Sequence, residues 1–128
     1  MFEYSKAFSS FTVDNIEKAK EFYQSVLGLV VKDNPMGFIE LHLEGGSTVL
    51  IYTKPDHQPA AFTVLNFAVN NVDDSVYYLT EKGVRFEQYN HHEYKIDEKG
   101  ISRSEGHAVA WFKDPAGNIL SVMTTTSA

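Results

Sequence analysis

The sequence predicts an α+β protein built from two tandem modules, each a strand, a helix and three further strands. Three correspondences between the halves predict it. Val13-Asp14-Asn15-Ile16-Glu17 is paralleled by Val69-Asn70-Asn71-Val72-Asp73, a strand end running into a helix cap. Gly28 is paralleled by Gly83, each placed to end the helix that follows its cap. Gly46-Ser47-Thr48-Val49-Leu50 is paralleled by Gly117-Asn118-Ile119-Leu120-Ser121, a glycine turn opening a strand. Self-similarity of this kind marks a duplicated supersecondary unit. The 128 residues suit one domain, residues 1–128, with modules over about 5–54 and 62–124.

In chain order, Ala7 to Val13 reads as the first strand, with Phe8, Ser10 and Thr12 on one face. Ile16, Ala19, Tyr23, Val26 and Leu27 recur at helical spacing, so a helix is expected over Ile16–Leu27. Leu29 to Val31 starts a strand, and Asn34-Pro35-Met36-Gly37 is a turn. Phe38 to Leu43 and Thr48 to Thr53 read as strands joined at Gly45-Gly46. Pro55 to Ala61 links the modules. Thr63 to Val69 is a strand, Val72 to Lys82 a helix, and Val84 to Tyr89 a strand. Asn90 to Gly106 is long, polar and without period, a loop or irregular hairpin. His107 begins a strand, and two strands flank the turn Asp114-Pro115-Ala116-Gly117. In that turn Asp114 is placed to accept from the backbone ahead, and Pro115 presets φ. Thr124 to Ala128 reads as a frayed tail.

Composition removes several function classes. A net charge of −6 argues against nucleic acid, which calls for a basic footprint. The absence of cysteine excludes disulfides, thiolate nucleophiles and cysteine zinc sites. Met1 to Phe8 has no long apolar core, and no run is long enough to span a membrane, so neither a signal peptide nor a membrane partner is expected. A cytoplasmic protein is the expectation.

Two stretches carry a resemblance. Val13-Asp14-Asn15-Ile16-Glu17-Lys18-Ala19, leading to Phe22-Tyr23 and Val26-Leu27-Gly28-Leu29, is one; Phe112-Lys113-Asp114-Pro115-Ala116-Gly117-Asn118 is the other. With the second-half copy they cover nearly the whole chain, and they resemble the vicinal oxygen chelate superfamily of glyoxalases, extradiol dioxygenases, fosfomycin resistance enzymes and bleomycin resistance proteins. The resemblance implies two βαβββ modules whose mixed sheets curl around a cavity with the helices outside, and a homodimer. It also implies four metal donors on the first and last strands of the modules, which fall here on Phe8, Leu50, Val64 and Ser121. A divalent cation needs imidazole, carboxylate or comparable donors, and none of these four side chains supplies one. A one-residue slip does not restore a donor set. No metal and no other cofactor is therefore expected. The resemblance then points to a metal-free binder of the bleomycin resistance kind, sequestering a small aromatic or cationic organic molecule.

The expected pocket wall combines Phe8, Ser10, Leu50, Tyr52, Val64, Asn66, Trp111 and Ser121, an apolar and aromatic lining with sparse polar groups. Glu40 and His42 share one face of a strand, as cavity acid and base or as the exposed side of a half-buried strand. His91-His92-Glu93 reads as a solvated loop, with His92, Glu93 or Tyr94 on a pocket rim as the alternative. Two other readings stay open: an enzyme with a relocated site using Glu40, His42 and loop residues, and a dimer whose cavity is filled.

Overall fold

A computed structural model describes residues 1–88 and 95–124. The His91-His92-Glu93 stretch, with Tyr94, lies outside the described residues. The chain forms two compact units, Met1–Gln58 and Pro59–Ala128.

In the first unit, strand β1 (Ser9–Val13) leads into helix α1 (Ile16–Glu21), a π-helical turn (Phe22–Val26), and strands β2 (Val30–Asp33), β3 (Ile39–His42) and β4 (Thr48–Thr53). The sheet order is β1-β4-β3-β2, with β1 parallel to β4 and the other pairs antiparallel. The Asn15 side chain caps α1, its Oδ1 accepting from the Lys18 N–H at 3.0 Å. That satisfies one of the first-turn donors that no intrahelical carbonyl reaches. Beyond Glu21 the bonds widen, with the Leu27 N–H donating to the Phe22 carbonyl at 3.0 Å. The fully buried Tyr23 ring packs edge-on to Phe22 and against Phe11. Gly28 follows at φ +73°, a conformation that favours a residue without Cβ. The core beneath the helix holds Val13, Val31, Ile39, Leu41, Val49 and Ile51.

The second unit repeats the order with β5 (Thr63–Ala68), α2 (Val72–Glu81), β6 (Ile101–Ser104), β7 (His107–Lys113) and β8 (Ile119–Met123). Its sheet order is β5-β8-β7-β6, again with the first pair parallel. Asn71 caps α2 by accepting from the Asp74 N–H at 3.0 Å. The helix ends in a Schellman arrangement: Gly83 N–H to Thr80 carbonyl and Val84 N–H to Leu79 carbonyl, both 3.0 Å. Val72, Val76 and Leu79 of α2 pack over β7 and β8, where Ala110, Phe112, Leu120 and Val122 are buried.

Each unit is thus an α+β layer, one helix on one face of a four-stranded mixed sheet, and the expected βαβββ order holds in both. One expected element moves. Val84 to Gln88 forms no strand; Phe86 makes a single bridge to Phe112, and the Glu87 N–H donates to the Trp111 carbonyl at 2.8 Å. The strand that follows α2 comes instead from Ile101–Ser104, inside the stretch read as loop or irregular hairpin. The physical reason is the seven-residue edge of β7. Its first four residues pair with β6 and the next two with the 86–87 segment, so two pieces of chain share one edge.

The turn chemistry recurs three times. Asp114, Asp97 and Asn34 each begin a four-residue turn ending in glycine. In each the side-chain oxygen accepts the N–H two residues on: Ala116 at 2.9 Å, Lys99 at 2.8 Å and Met36 at 2.8 Å. The buried Asp114 also accepts from the Asn118 N–H and side-chain amide, which locks the β7–β8 hairpin.

Candidate functional site

The face of the first sheet opposite α1 is built by alternation. Residues of β3 and β4 that point away from the helix are Glu40 and His42, and Thr48, Leu50 and Tyr52. Register sets them in rows. Glu40 lies between Leu50 and Lys32, and Leu50 lies beside Ser10. His42 lies between Thr48 and Val30. Thr12 lies beside Tyr52, whose ring meets Phe38 edge-on at 6.0 Å between centroids. Leu50, Tyr52, Phe38, Glu40 and His42 are all half-buried, while Ser10 is exposed. The face therefore offers one aliphatic seat, an aromatic pair to one side of it and a polar pair to the other. At the aromatic edge the Thr12 hydroxyl lies 2.7 Å from His57 Nδ1.

The polar pair is connected. Glu40 Oε1 lies 3.0 Å from His42 Nε2, and Glu40 Oε2 accepts from Asn34 Nδ2 at 2.9 Å. Asn34 reaches Glu40 because its own turn points the side chain back over β3. Its Oδ1 takes the Met36 N–H, leaving Nδ2 to donate. The Asn34 amide, then the His42 ring, hold the Glu40 carboxyl below the usual carboxylate range, so it is ionised at neutral pH.

In the second unit, Ser121 is fully buried on β8, between Asn66 on β5 and Trp111 on β7. Its hydroxyl donates to Asn66 Oδ1 at 2.5 Å. Val64 occupies a register shift in β5, between Thr63 paired to Ile119 and Leu65 paired to Leu120. Phe8 precedes β1 and is 59% exposed. Register thus sets Ser10 beside Leu50 and Asn66 beside Ser121, each two residues past the first-strand positions that the resemblance assigns to donors. The donor set Phe8, Leu50, Val64 and Ser121 does not fit a divalent cation. Among the described residues, no three His, Asp or Glu side chains gather closely enough to hold one.

Two features were not legible in the sequence. One is Asn34, whose reach to Glu40 depends on its turn; the signal was a turn Asn six residues before a strand Glu. The other is a cleft of about 420 Å³ on the helix side of the second unit, lined by Val76, Tyr77, Thr80, Val84, Phe86 and Lys99 among others. At its edge Arg103 holds Asp73 through two bonds of 3.0 and 2.7 Å and approaches Asp97 at 3.5 Å.

Duplicated βαβββ units, each with a helix backing a mixed sheet, define a class of protein whose members differ in what the sheet faces carry. Residues 7–122 match the Glyoxalase/Bleomycin resistance protein/Dioxygenase superfamily, and the chain belongs to that family. Solved structures share the fold. One is TnmS3, an antibiotic binding protein from Streptomyces sp. CB03234, at 22% identity and TM-score 0.70, covering 98% of this chain and 100% of that one. Another is a superfamily member from Sphaerobacter thermophilus DSM 20745, at 22% identity and TM-score 0.69, covering 95% and 98%. A third is a glyoxalase family protein from Enterococcus faecalis, at 22% identity and TM-score 0.64, covering 96% and 99%. Among curated proteins none matches this chain significantly. No helix among the described residues is long and apolar enough to cross a membrane.

Proposed function

We propose that this chain binds a small organic molecule with aromatic or cationic groups and does not change it chemically. The observation that carries this reading is the sheet face around Leu50, where Phe38 and Tyr52 offer ring surfaces and Glu40 an ionised carboxylate. Apolar burial at Leu50 and the rings supplies affinity, and the polar pair fixes orientation. TnmS3, an antibiotic binding protein that shares the fold, supports the same reading by analogy. The lack of usable donors at Phe8, Leu50, Val64 and Ser121 separates the proposed binder from the metal-dependent members of the family. The chain further acts as one domain in a cytoplasmic homodimer, and Asn66, Trp111 and Ser121 mark the corresponding strand positions of the second unit. Light scattering of the purified protein checks the dimer.

A thermal-shift screen of aromatic, cationic and antibiotic-like compounds tests the function, with mass spectrometry of each hit after incubation. Hits recovered intact support it. A second reading is an enzyme using Glu40 and His42 as acid and base, and their 3.0 Å approach favours it. Recovery of a chemically altered hit, with turnover lost in Glu40→Gln, replaces the first reading with the second.

A further inference from the structure

We infer, building on the binding function proposed above, that the Asn34–Glu40–His42 chain fixes His42 as the Nε2–H tautomer and makes its Nδ1 the acceptor for a ligand that brings an O–H or N–H group, such as a phenol. The proton positions follow from the partners. Asn34 Oδ1 is taken by the Met36 N–H, so the amide nitrogen faces Glu40 and donates to Oε2 at 2.9 Å. An ionised carboxylate accepts and cannot donate. His42 Nε2, 3.0 Å from Oε1, must then carry the proton of that bond. In the neutral ring this leaves Nδ1 with a lone pair. Among the described residues none hydrogen-bonds to Nδ1, and the ring is half-buried beside Thr48 and Val30.

The position matches a ligand seated on Leu50. Leu50 pairs with Glu40 and is therefore the diagonal neighbour of His42 across β3 and β4, about 7–8 Å away. That distance suits a ring lying over Leu50 with its polar substituent turned to His42. The face thus selects on hydrogen-bond polarity as well as on ring shape. A phenol or a ring N–H gains a bond at Nδ1, whereas an ether or carbonyl presents a lone pair to a lone pair.

Two measurements on the full chain test this. The first is a proton–nitrogen long-range correlation spectrum of histidine-labelled protein without ligand at neutral pH, with His42 assigned from its loss in His42→Phe. The expected pattern is the Nε2–H tautomer. An Nδ1–H tautomer or an imidazolium overturns the inference. The second compares 2-naphthol with 2-methoxynaphthalene by calorimetry. The naphthol is expected to bind roughly tenfold more tightly, the worth of one well-formed hydrogen bond. In Glu40→Gln the new amide can donate to Nε2, which moves the ring proton to Nδ1, and the preference should fall to about twofold or less. His42→Phe keeps a ring at the position and should lose the preference as well, which serves where Glu40→Gln fails to fold. Equal affinities in the wild type overturn the inference and leave the binding function standing. Binding of neither probe counts against the binding function and removes the ligand assignment with it.

Discussion

At the scale of single residues, the polar side chains that matter here are set by what lies one hydrogen bond away. Ser121 is fully buried, and its 2.5 Å bond to Asn66 is the reason a hydroxyl is tolerated there. Asn66 itself is exposed, so water can replace the serine if the bond is lost. Ser121→Ala should therefore cost only about 1 kcal/mol, measured by urea unfolding, and not the larger penalty of a stranded buried group. Glu40, Asp73 and Asp97 all have carboxyls held below their ordinary range. For Glu40 the leading cause is the Asn34 amide, and for Asp73 the Arg103 guanidinium. For Asp97 burial pushes upward and is outweighed by the Ile101 and Lys99 N–H groups with Arg103. Depressed folded values mean that the stability these groups contribute is complete above the unfolded carboxylate range. It is lost as pH falls through the lowered values. Acid unfolding should accordingly set in below about pH 4, and Asn34→Ala should move the Glu40 titration, followed by NMR, upward. Glu40 and His42 were legible as a pair because alternation puts them on one face. Asn34 was not, because its reach depends on a turn side chain with one free donor.

At the scale of elements, local chemistry fixed much and edge pairing fixed the rest. The two Asn caps, the glycines after the helices and the Asp114 turn lie where short-range rules put them, since each is decided within about five residues. The strand that follows α2 was misplaced for the opposite reason. Val84-Arg85-Phe86 alternates like a strand, and Ile101-Ser102-Arg103 sits in a polar stretch. Which of them pairs with β7 depends on its edge, which no local window contains. Gly100 is the hinge of that arrangement. It is buried at φ +88°, and a Cβ there would lie 2.8 Å from Phe86 Cβ. Gly100→Ala should cost about 2 kcal/mol or more, from the left-handed backbone and the clash together. Gly45→Ala, with positive φ but open space, should cost about half as much. Comparing the two in thermal unfolding separates backbone strain from crowding. Asn71→Ala should cost about 1 kcal/mol by loss of the α2 cap.

At the scale of the whole molecule, the repeat made the fold class legible, while the family offset fixed candidate positions by sequence distance alone. Phe8 and Val64 were reached by counting back from Val13 and Val69, whereas strand register sets Ser10 beside Leu50 and Asn66 beside Ser121. Register exists only once strands pair, as the shift at Val64 between β5 and β8 shows, so counting along the chain does not contain it. The face around Leu50 is proposed to bind a small aromatic molecule and leave it unchanged. Its most direct test is the thermal shift of the wild type and of Leu50→Asp with the same screen hit. A ligand that binds only the folded state at about a hundred times its Kd adds roughly 2.7 kcal/mol, and for a domain of this size raises Tm by about 10 °C. The expected result is that shift in the wild type, an intact compound by mass spectrometry, and no shift in folded Leu50→Asp, where an unpaired carboxylate sits in the seat. An undiminished shift in Leu50→Asp, or no shift with any aromatic or cationic compound in the wild type, would contradict it.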